Sequence, residues 1–325
     1  MKPKIDGFVL GIIAIVILAY LFPFWGSKNS PIPLSLIGSI GVSLIFFFYG
    51  LKLSPEKIKT GLKNWKLHLL VQASSFILFP LIVIAIYPFV KTESNHTIWL
   101  GFMFLAALPS TVSSSVVMVS MAKGNIPAAI FNASISGLIG IIITPLWMSL
   151  FLQQTTTEFN LGSIYLKLIT EILLPVIIGI ALQRYLGDFV RKNSRYLTLF
   201  DKSIILLIIY KSFAQSFEEG VFNSVKLTDL MLIFVAVTLL FILVFFSINK
   251  LANTLGFNLE DRITAQFCGT KKSLVHGTVF SKILFKNTVS VGIILLPLML
   301  FHFIQIFIIS IIASKLEKQA VAFER

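Results

Sequence analysis

Long runs of apolar residues, separated by short polar and basic connectors, make up nearly the whole chain. An α-helix needs about 20 mainly apolar residues to cross the ~30 Å hydrocarbon layer of a bilayer, and about ten runs are of that order. The predicted spans are 7–25, 32–51, 67–90, 98–121, 126–152, 161–185, 201–217, 228–250, 262–284 and 288–314. The pattern therefore predicts an all-α membrane protein of about ten transmembrane helices, without a sizeable soluble domain.

The composition excludes a soluble globular protein. Of the 325 residues, 56% are hydrophobic and 13% are charged, with a mean hydropathy of +0.92. The surface of a soluble domain needs far more polar residues than this. The first run ends in the aromatic sequence FPFW at 22–25 and has no small-residue cleavage pattern, so we interpret it as a span and not as a signal peptide. A single cysteine, Cys268, excludes an intramolecular disulfide.

The basic residues behind the net charge of +13 are divided unequally between the two predicted sides of the membrane. When the connectors are allotted to alternate sides, one side receives 18 Lys and Arg, the other receives six, and three lysines remain inside spans. The positive-inside rule then predicts that both termini are cytoplasmic in the plasma (inner) membrane, which requires an even number of spans. Anionic lipid of the inner leaflet suits these cations, and nucleic acid is not needed to explain them.

The chain divides into two halves of five predicted spans each, 1–155 and 156–325. Because five is odd, equivalent halves would lie in opposite orientations, as in the inverted repeats of many secondary transporters. The fourth span of each half is polar and contains helix-breaking residues, which are Pro109 in the first half and Gly269 and Gly277 in the second. Interrupted spans at matching positions are typical of transporter binding sites, since backbone freed from a helix at that depth must line a cavity or find protein partners.

Lys271 and Lys272 are adjacent in the ninth predicted span, with apolar residues on both sides. A lysine at the centre of a transmembrane helix costs about 2.5–3.5 kcal/mol on insertion scales. Neighbouring helical positions point roughly 100° apart, so the two side chains are expected to face different partners. Either one lysine reaches the membrane surface or the span is displaced by a turn, or else at least one lysine lines a polar site and compensates a negative charge.

Other ionisable residues inside spans are weaker candidates. Glu171 is the only carboxylate predicted deep inside a span. It is either a counter-charge, a proton carrier or a cation ligand, or a neutral structural residue bonded to Thr170 or to a backbone carbonyl. For His276 and His302, a packing role is more common than a role in a proton relay.

Hydroxyl residues cluster after Pro109. Neutral oxygens at a helix break suit sodium, and Asn132 and Ser134 of the next span supply more; the alternative is that small residues merely allow close helix packing. We predict a sodium site formed by Ser114, Ser115 and Asn132. The full set of candidate substrate- or ion-binding residues is Pro109, Ser113, Ser114, Ser115, Asn132, Ser134, Glu171, Thr270, Lys271, Lys272, Ser273 and His276.

Catalytic patterns are missing from the sequence. It contains no HExxH, no GxSxG, no Walker A motif and no His/Cys cluster at metal-ligand spacing. The prediction is therefore a protein that is not an enzyme, and the missing P-loop argues against ATP-driven transport within this chain.

Three segments carry a resemblance to a known family. They are LPSTVSSS at 108–115, NIPAAIFN at 125–132 running on to Thr144-Pro145, and FCGTKKSLVHG at 267–277. These segments are similar to those of the bile acid:sodium symporter family, and the last is most similar to its SBF-like branch. The resemblance implies a core domain of spans 3–5 and 8–10, a panel domain of spans 1, 2, 6 and 7, and discontinuous helices 4 and 9. Substrate would lie between the two domains, and movement of the core would alternate access.

The chain departs from the sodium-coupled members where the resemblance assigns the ion. Those members have Ser-Asn in span 4 and Glu followed by Gln in span 9, whereas this chain has Ser114-Ser115, Phe267 and Lys271. A carboxylate is lost and an ammonium is gained, and like charges 4 Å apart repel by about 4 kcal/mol at an effective dielectric of 20. Lys271 would then be a built-in cation in place of one sodium. Transport would be coupled to protons, to one remaining sodium site or to no ion.

The sequence as a whole predicts a secondary active transporter of a small organic anion. The alternative is a regulatory or scaffold membrane protein that has kept the fold without transporting a solute. Neither bile-acid specificity nor strict sodium coupling carries over from the family. Substrate, coupling ion and oligomeric state do not follow from the sequence.

Overall fold

A computed structural model describes residues 7–27, 30–52, 64–90, 93–111, 113–152, 161–218, 220, 227–285 and 291–323. All regular structure within these ranges is helical, which confirms the all-α prediction. The helices are α1 (Gly7–Leu21), α2 (Leu34–Lys52), α3 (65–90), α4a (Glu93–Ala107), α4b (Ser113–Met121), α5 (Ile126–Leu152), α6 (161–192), α7 (Ser194–Glu218), α8 (Leu227–Thr254), α9a (Leu259–Gly269), α9b (Leu274–Leu284) and α10 (Val291–Phe323). Helices α3 and α6 each contain one π-helical turn, Ser74–Leu78 and Ile169–Leu173.

Six of the described helices are long and apolar enough to cross a membrane. They are Leu34–Lys52, Trp65–Pro88, Ile126–Leu152, Gly162–Lys192, Leu227–Thr254 and Val291–Glu317. Two shorter apolar helices, Leu10–Leu21 and His96–Ala107, accompany them. Outward-facing leucine, isoleucine and phenylalanine side chains cover much of the surface, as a lipid environment requires. The protein is therefore an integral membrane protein.

The connector predicted between residues 184 and 201 is helical. Helix α6 continues to Lys192, and α7 begins at Ser194 after the single turn residue Asn193. The polar residues after 184 mark the end of the apolar run but not the end of the helix. Arg191 and Lys192 lie in the last turn of α6, where the negative end of the helix dipole favours cations. The other long predicted connector, 52–66, lies mostly outside the described residues.

Both predicted interruptions are present in the fourth and ninth helical units. The first is the segment 108–111 that contains Pro109, and the second is the segment Thr270–Ser273 between α9a and α9b. Gly277 was predicted as a breaker but lies inside α9b. Its small size serves packing, because a Cβ there would lie 2.1 Å from the side chain of Leu298 and 2.8 Å from that of Leu108.

Helices α2 and α6 pack with their backbones in close contact at two glycines. A Cβ on Gly50 would lie 2.2 Å from the carbonyl oxygen of Val176, and a Cβ on Gly179 would lie 2.3 Å from that of Phe47. Small residues of this kind let membrane helices approach closely, where dispersion contacts hold them together without a hydrophobic driving force.

Gly50→Ala is expected to destabilise the protein by about 1–3 kcal/mol, because the new methyl group must displace the backbone of α6. Gly38→Ala is the matched control in the same helix, where the nearest atom to an added Cβ lies at 3.6 Å. Thermal unfolding of both purified variants in detergent measures the difference. Equal melting temperatures would show that α2 and α6 do not depend on this contact.

Candidate functional site at the two helix breaks

The two interrupted segments lie against each other in the interior and satisfy each other's backbone. The amide of Ser273 donates to the carbonyl oxygen of Pro109 at 2.9 Å, and the hydroxyl of Ser110 donates to the carbonyl oxygen of Cys268 at 2.6 Å. The amide of Ser110 donates to the hydroxyl of Ser136 in α5 at 2.9 Å. Because lipid offers no hydrogen bonds, two broken helices are stable at this depth only when protein groups replace the lost helical partners.

The ammonium of Lys272 is buried in a shell of three carbonyl oxygens. Its Nζ donates to Ser75 O and Ala106 O at 2.7 Å each and to Leu108 O at 2.9 Å, and it lies 4.2 Å from the centre of the Phe79 ring. The side chain is fully buried, and all three N–H donors of the ammonium are used. The lysine is thus bound as a cation by dipoles and a π face.

Two local features of the backbone present these carbonyls. Ala106 and Leu108 lie at the end of α4a, where the last carbonyls of a helix lack helical partners and form the negative end of its dipole. Ser75 lies in the π-helical turn of α3, where the wider winding also exposes the carbonyl of Phe76 to the indole N–H of Trp147 at 2.8 Å. A helix break and a π turn together form the acceptor set for Lys272.

Gln305 of α10 holds the backbone of Lys272 in place. The amide of Lys272 donates to Gln305 Oε1 at 2.8 Å, and Gln305 Nε2 donates to the carbonyl of Lys272 at 2.9 Å. The same Nε2 lies 3.0 Å from His302 Nδ1. Sequence reasoning missed Gln305, although an amide in an otherwise apolar stretch of the tenth span was a usable signal.

Lys271 is as deeply buried as Lys272 but is bound differently. Its Nζ donates to the carbonyl of Ser114 at 2.7 Å, and no other hydrogen bond from it is found within the described ranges. Two of its three donors are therefore unused. Ser114 lies in the first turn of α4b, so the ammonium lies beside the positive end of a helix dipole. Neither lysine forms an ion pair in the part of the chain that the structure describes.

The residues predicted to bind sodium lie in two separate hydrogen-bond networks. The hydroxyls of Ser114 and Ser115 pair with Thr111 Oγ1 at 3.0 and 2.8 Å. Asn132 donates to the carbonyl of Ala128 at 3.0 Å, and its Oδ1 accepts from Gln72 Nε2 at 3.2 Å. Among the described residues no hydrogen bond joins the two networks. The side chain of Ser113, predicted with them, lies outside the described part.

The Lys272 and Ser114 environments do not fit a sodium ion. The three carbonyls that converge in the core already accept from the Lys272 ammonium, and the carbonyl of Ser114 accepts from Lys271. A sodium ion on these oxygens would lie beside a lysine, and two positive charges 4 Å apart repel by about 4 kcal/mol at an effective dielectric of 20. In the described part of the chain, Gln72 Oε1 and Ser75 Oγ remain as buried oxygens without a hydrogen-bond partner.

The other predicted residues are dispersed. Ser134 and Thr270 donate to carbonyls of their own helices, at 2.8 and 2.6 Å. Glu171 lies half-buried in the π-helical turn of α6 with Oε2 unpartnered, and no ion pair joins it to a lysine in the described structure. The Thr170 hydroxyl donates to Leu166 O at 2.9 Å, and no hydrogen bond between Glu171 and Thr170 is found among the described residues.

Ser273 and His276 form the N-terminal cap of α9b. Ser273 Oγ accepts from the backbone amide of His276 at 3.3 Å and lies 2.9 Å from His276 Nδ1. The imidazole is buried between the rings of Phe46 and Phe280, at 5.4 and 5.7 Å between centroids. Its Nε2 has no hydrogen-bond partner among the residues that the structure describes.

A polar cluster that sequence reasoning missed ties together the first turns of α3, α5 and α9a. Asp261 accepts from Asn64 Nδ2 at 2.6 Å and from Asn125 Nδ2 at 2.8 Å, while its own amide donates to Asn258 Oδ1 at 2.8 Å. The amide of Asn125 donates to Thr264 Oγ1 at 2.8 Å. Asparagine before each helix was a signal for helix caps, but the pairing of distant caps through one aspartate is a tertiary property.

The model of the SBF-like CPA transporter family matches residues 6–318. The chain belongs to this family. The match covers both interrupted segments and all the helices described above, apart from the last five residues of α10. The family resemblance carried by the segments at 108–115, 125–145 and 267–277 is thereby confirmed, and the protein is a membrane transporter by family.

Alignments with named relatives cover almost the whole chain. An uncharacterised protein of Pseudomonas aeruginosa is 38% identical over 95% of this chain and 92% of its own length. The putative symporter YfeH of Escherichia coli is 34% identical over 97% and 94%. Sodium/bile acid cotransporter 7 of Xenopus tropicalis is 32% identical over 96% and 92%. The alignments thus cover more than nine tenths of this chain and of each relative.

Lys272→Met is expected to destabilise this SBF-like protein by about 3 kcal/mol or more, because it leaves three buried carbonyls without a donor, at about 1–3 kcal/mol each. Lys271→Met is the matched control, since it removes a neighbouring buried ammonium with one hydrogen bond and should cost roughly a third as much. Thermal unfolding in detergent at constant ionic strength measures both. A larger loss in the Lys271 variant would contradict the assignment of Lys272 as the structural cation.

Proposed function

We propose that the protein is a secondary active transporter of a small organic anion that works by alternating access, with Lys272 as a permanent internal cation and Lys271 as the residue that meets the anion. Membership of a transporter family supports the transport role. The observation that carries the anion assignment is the contrast between the two buried lysines, of which one is saturated with acceptors and the other is not.

Lys272, and not Lys271 as predicted from the sequence, takes the position of a bound cation in this proposal. A ring of carbonyl oxygens is the environment that proteins use for alkali ions, and here a lysine ammonium fills it. The ammonium brings the charge without a dissociation step. Its role is to hold α3, α4a and the segment between α9a and α9b together in every state of the transport cycle.

Lys271 lies where positive potential accumulates. The N-terminus of α4b is the positive end of a helix dipole, and that of α9b, nearby in sequence, is a second one. The ammonium itself has two unused N–H donors. A carboxylate, sulfonate or phosphate group satisfies all of these at once. Proton coupling through the Lys271 amine is the coupling mode that we favour, because the carbonyls around the two lysines already accept from their ammonium groups.

The contacts between helices divide them into two groups, which supports the proposal of a core domain that moves against a panel domain. Helices α1, α2, α6 and α7 contact one another, as do α3, α4, α5, α8, α9 and α10. We propose that these groups are the panel and the core, that the halves 1–155 and 156–325 are inverted repeats, and that both termini are cytoplasmic. Glu171 in α6 would then belong to the panel side of the crevice between them.

Uptake into proteoliposomes separates this proposal from a scaffold that does not transport. The probes are radiolabelled lactate, propionate, malate, succinate and taurocholate, and at least one is expected to accumulate above the level of protein-free liposomes. Lys271→Gln is expected to reduce that uptake about tenfold or more, as loss of a charged hydrogen bond of about 1.5–3 kcal/mol implies. Absence of uptake with all five probes would favour the regulatory or scaffold function.

Sodium is expected not to stabilise the wild-type protein. A ligand that binds only the folded state at ~100 times its Kd contributes about 2.7 kcal/mol, which thermal unfolding detects readily when potassium keeps the ionic strength constant. Lys272→Gln empties the carbonyl shell and is expected to gain a sodium response, whereas Lys271→Gln is the control that should not. Sodium-dependent stabilisation of the wild type would contradict the internal-cation proposal.

A further inference from the structure

His276 is a buried polar side chain whose environment the transport proposal leaves unexplained. It is only 4% exposed, and its Nε2 lacks a hydrogen-bond partner within the described ranges, although the other ring nitrogen is paired. An unpaired buried donor or acceptor costs about 1–3 kcal/mol, so such a group is retained when something else pairs with it. The imidazole belongs to α9b and points toward α2 and α5.

The hydrogen bonds of Ser273 determine which ring nitrogen carries the proton. Ser273 Oγ accepts from the amide of His276, and the only acceptor found for its own O–H in the described structure is His276 Nδ1 at 2.9 Å. The serine therefore donates to Nδ1, and the proton of the neutral imidazole is on Nε2. The unpartnered atom of His276 is a donor.

Tyr49 of α2 provides an acceptor close to this donor. Its hydroxyl donates to the carbonyl of Ser134 in α5 at 2.5 Å, which leaves its oxygen lone pairs available. Both groups face Gly137: the position of a Cβ on this glycine is 2.9 Å from His276 Nε2 and 3.4 Å from the Tyr49 hydroxyl. Because Gly137 has no side chain, the donor and the acceptor both approach its backbone and lie near each other.

We propose that His276 Nε2 and the Tyr49 hydroxyl form a subsite that recognises a hydroxyl group on the transported anion. This inference rests on the proposed function, in which α2 belongs to the panel and α5 and α9b to the core. A substrate hydroxyl accepts a hydrogen bond from Nε2–H and donates one to the tyrosine oxygen, so it pairs with both groups. A carboxylate oxygen cannot donate, and a methylene group can do neither. The substrate class is therefore a hydroxylated organic anion.

Matched pairs of anions test the subsite on the purified full-length protein. Thermal stability is measured against potassium lactate or propionate, and against potassium malate or succinate, at constant ionic strength. The hydroxylated member of each pair is expected to bind with an apparent Kd about threefold to tenfold lower, as one added buried hydrogen bond implies. In Tyr49→Phe and in His276→Phe the ratio is expected to fall to about one, while stabilisation by both members persists.

Tyr165→Phe is the control variant, because the Tyr165 hydroxyl of α6 also donates to a carbonyl of α5, that of Ile142 at 3.1 Å, without a histidine beside it. It should keep the wild-type ratio. Equal affinities within each wild-type pair, or a ratio unchanged in Tyr49→Phe, would overturn the subsite and leave the anion proposal intact. No stabilisation by any of the four anions, together with no uptake in proteoliposomes, would instead overturn the proposed function.

Discussion

A helix that is interrupted inside a membrane leaves backbone groups that lipid cannot satisfy, and the rest of this structure follows from how these groups are paired. The two breaks bond to each other through Ser273, Pro109, Ser110 and Cys268. The carbonyls that remain at the end of α4a, with one from the π turn of α3, surround the ammonium of Lys272. An ammonium alone in hydrocarbon would cost free energy, and so would buried carbonyls without a donor. The hydrogen bonds between them offset both costs.

Much of the fold follows from the sequence because its signals are local. Apolar runs mark the helices, and Pro109 and the polar segment before Ser273 mark the interruptions. The ends of helices were harder to predict, as the helical residues on both sides of Asn193 show, since polar residues mark the membrane boundary and not the end of the helix. Gly277 was misjudged for a related reason: glycine breaks a helix or admits a neighbour, and only the position of Leu298 distinguishes the two.

The candidate site was less predictable, because its pairings are between distant segments. The sequence marked Lys271 and Lys272 as unusual but offered no means to tell which one has three acceptors. That distinction depends on a π turn in α3 and on the amide of Gln305, more than 30 residues further along the chain. Tyr49 had no signal at all in a run of aromatic residues, and its relation to His276 exists only where α2 meets α5 and α9b.

A covalently attached cation also alters the electrical balance of a transport cycle. An alkali ion that binds with a substrate is released with it and adds its charge to the net movement, whereas in the proposed cycle the ammonium of Lys272 would return with the protein and add no net charge. An anion carried without a compensating ion is electrogenic, and the membrane potential acts on it with about 2.3 kcal/mol per charge at 100 mV. With the cell interior negative, that force drives the anion outward. In the proposed cycle, export would therefore be the downhill direction for an anion that moves alone, and uptake would need a proton that travels with the substrate.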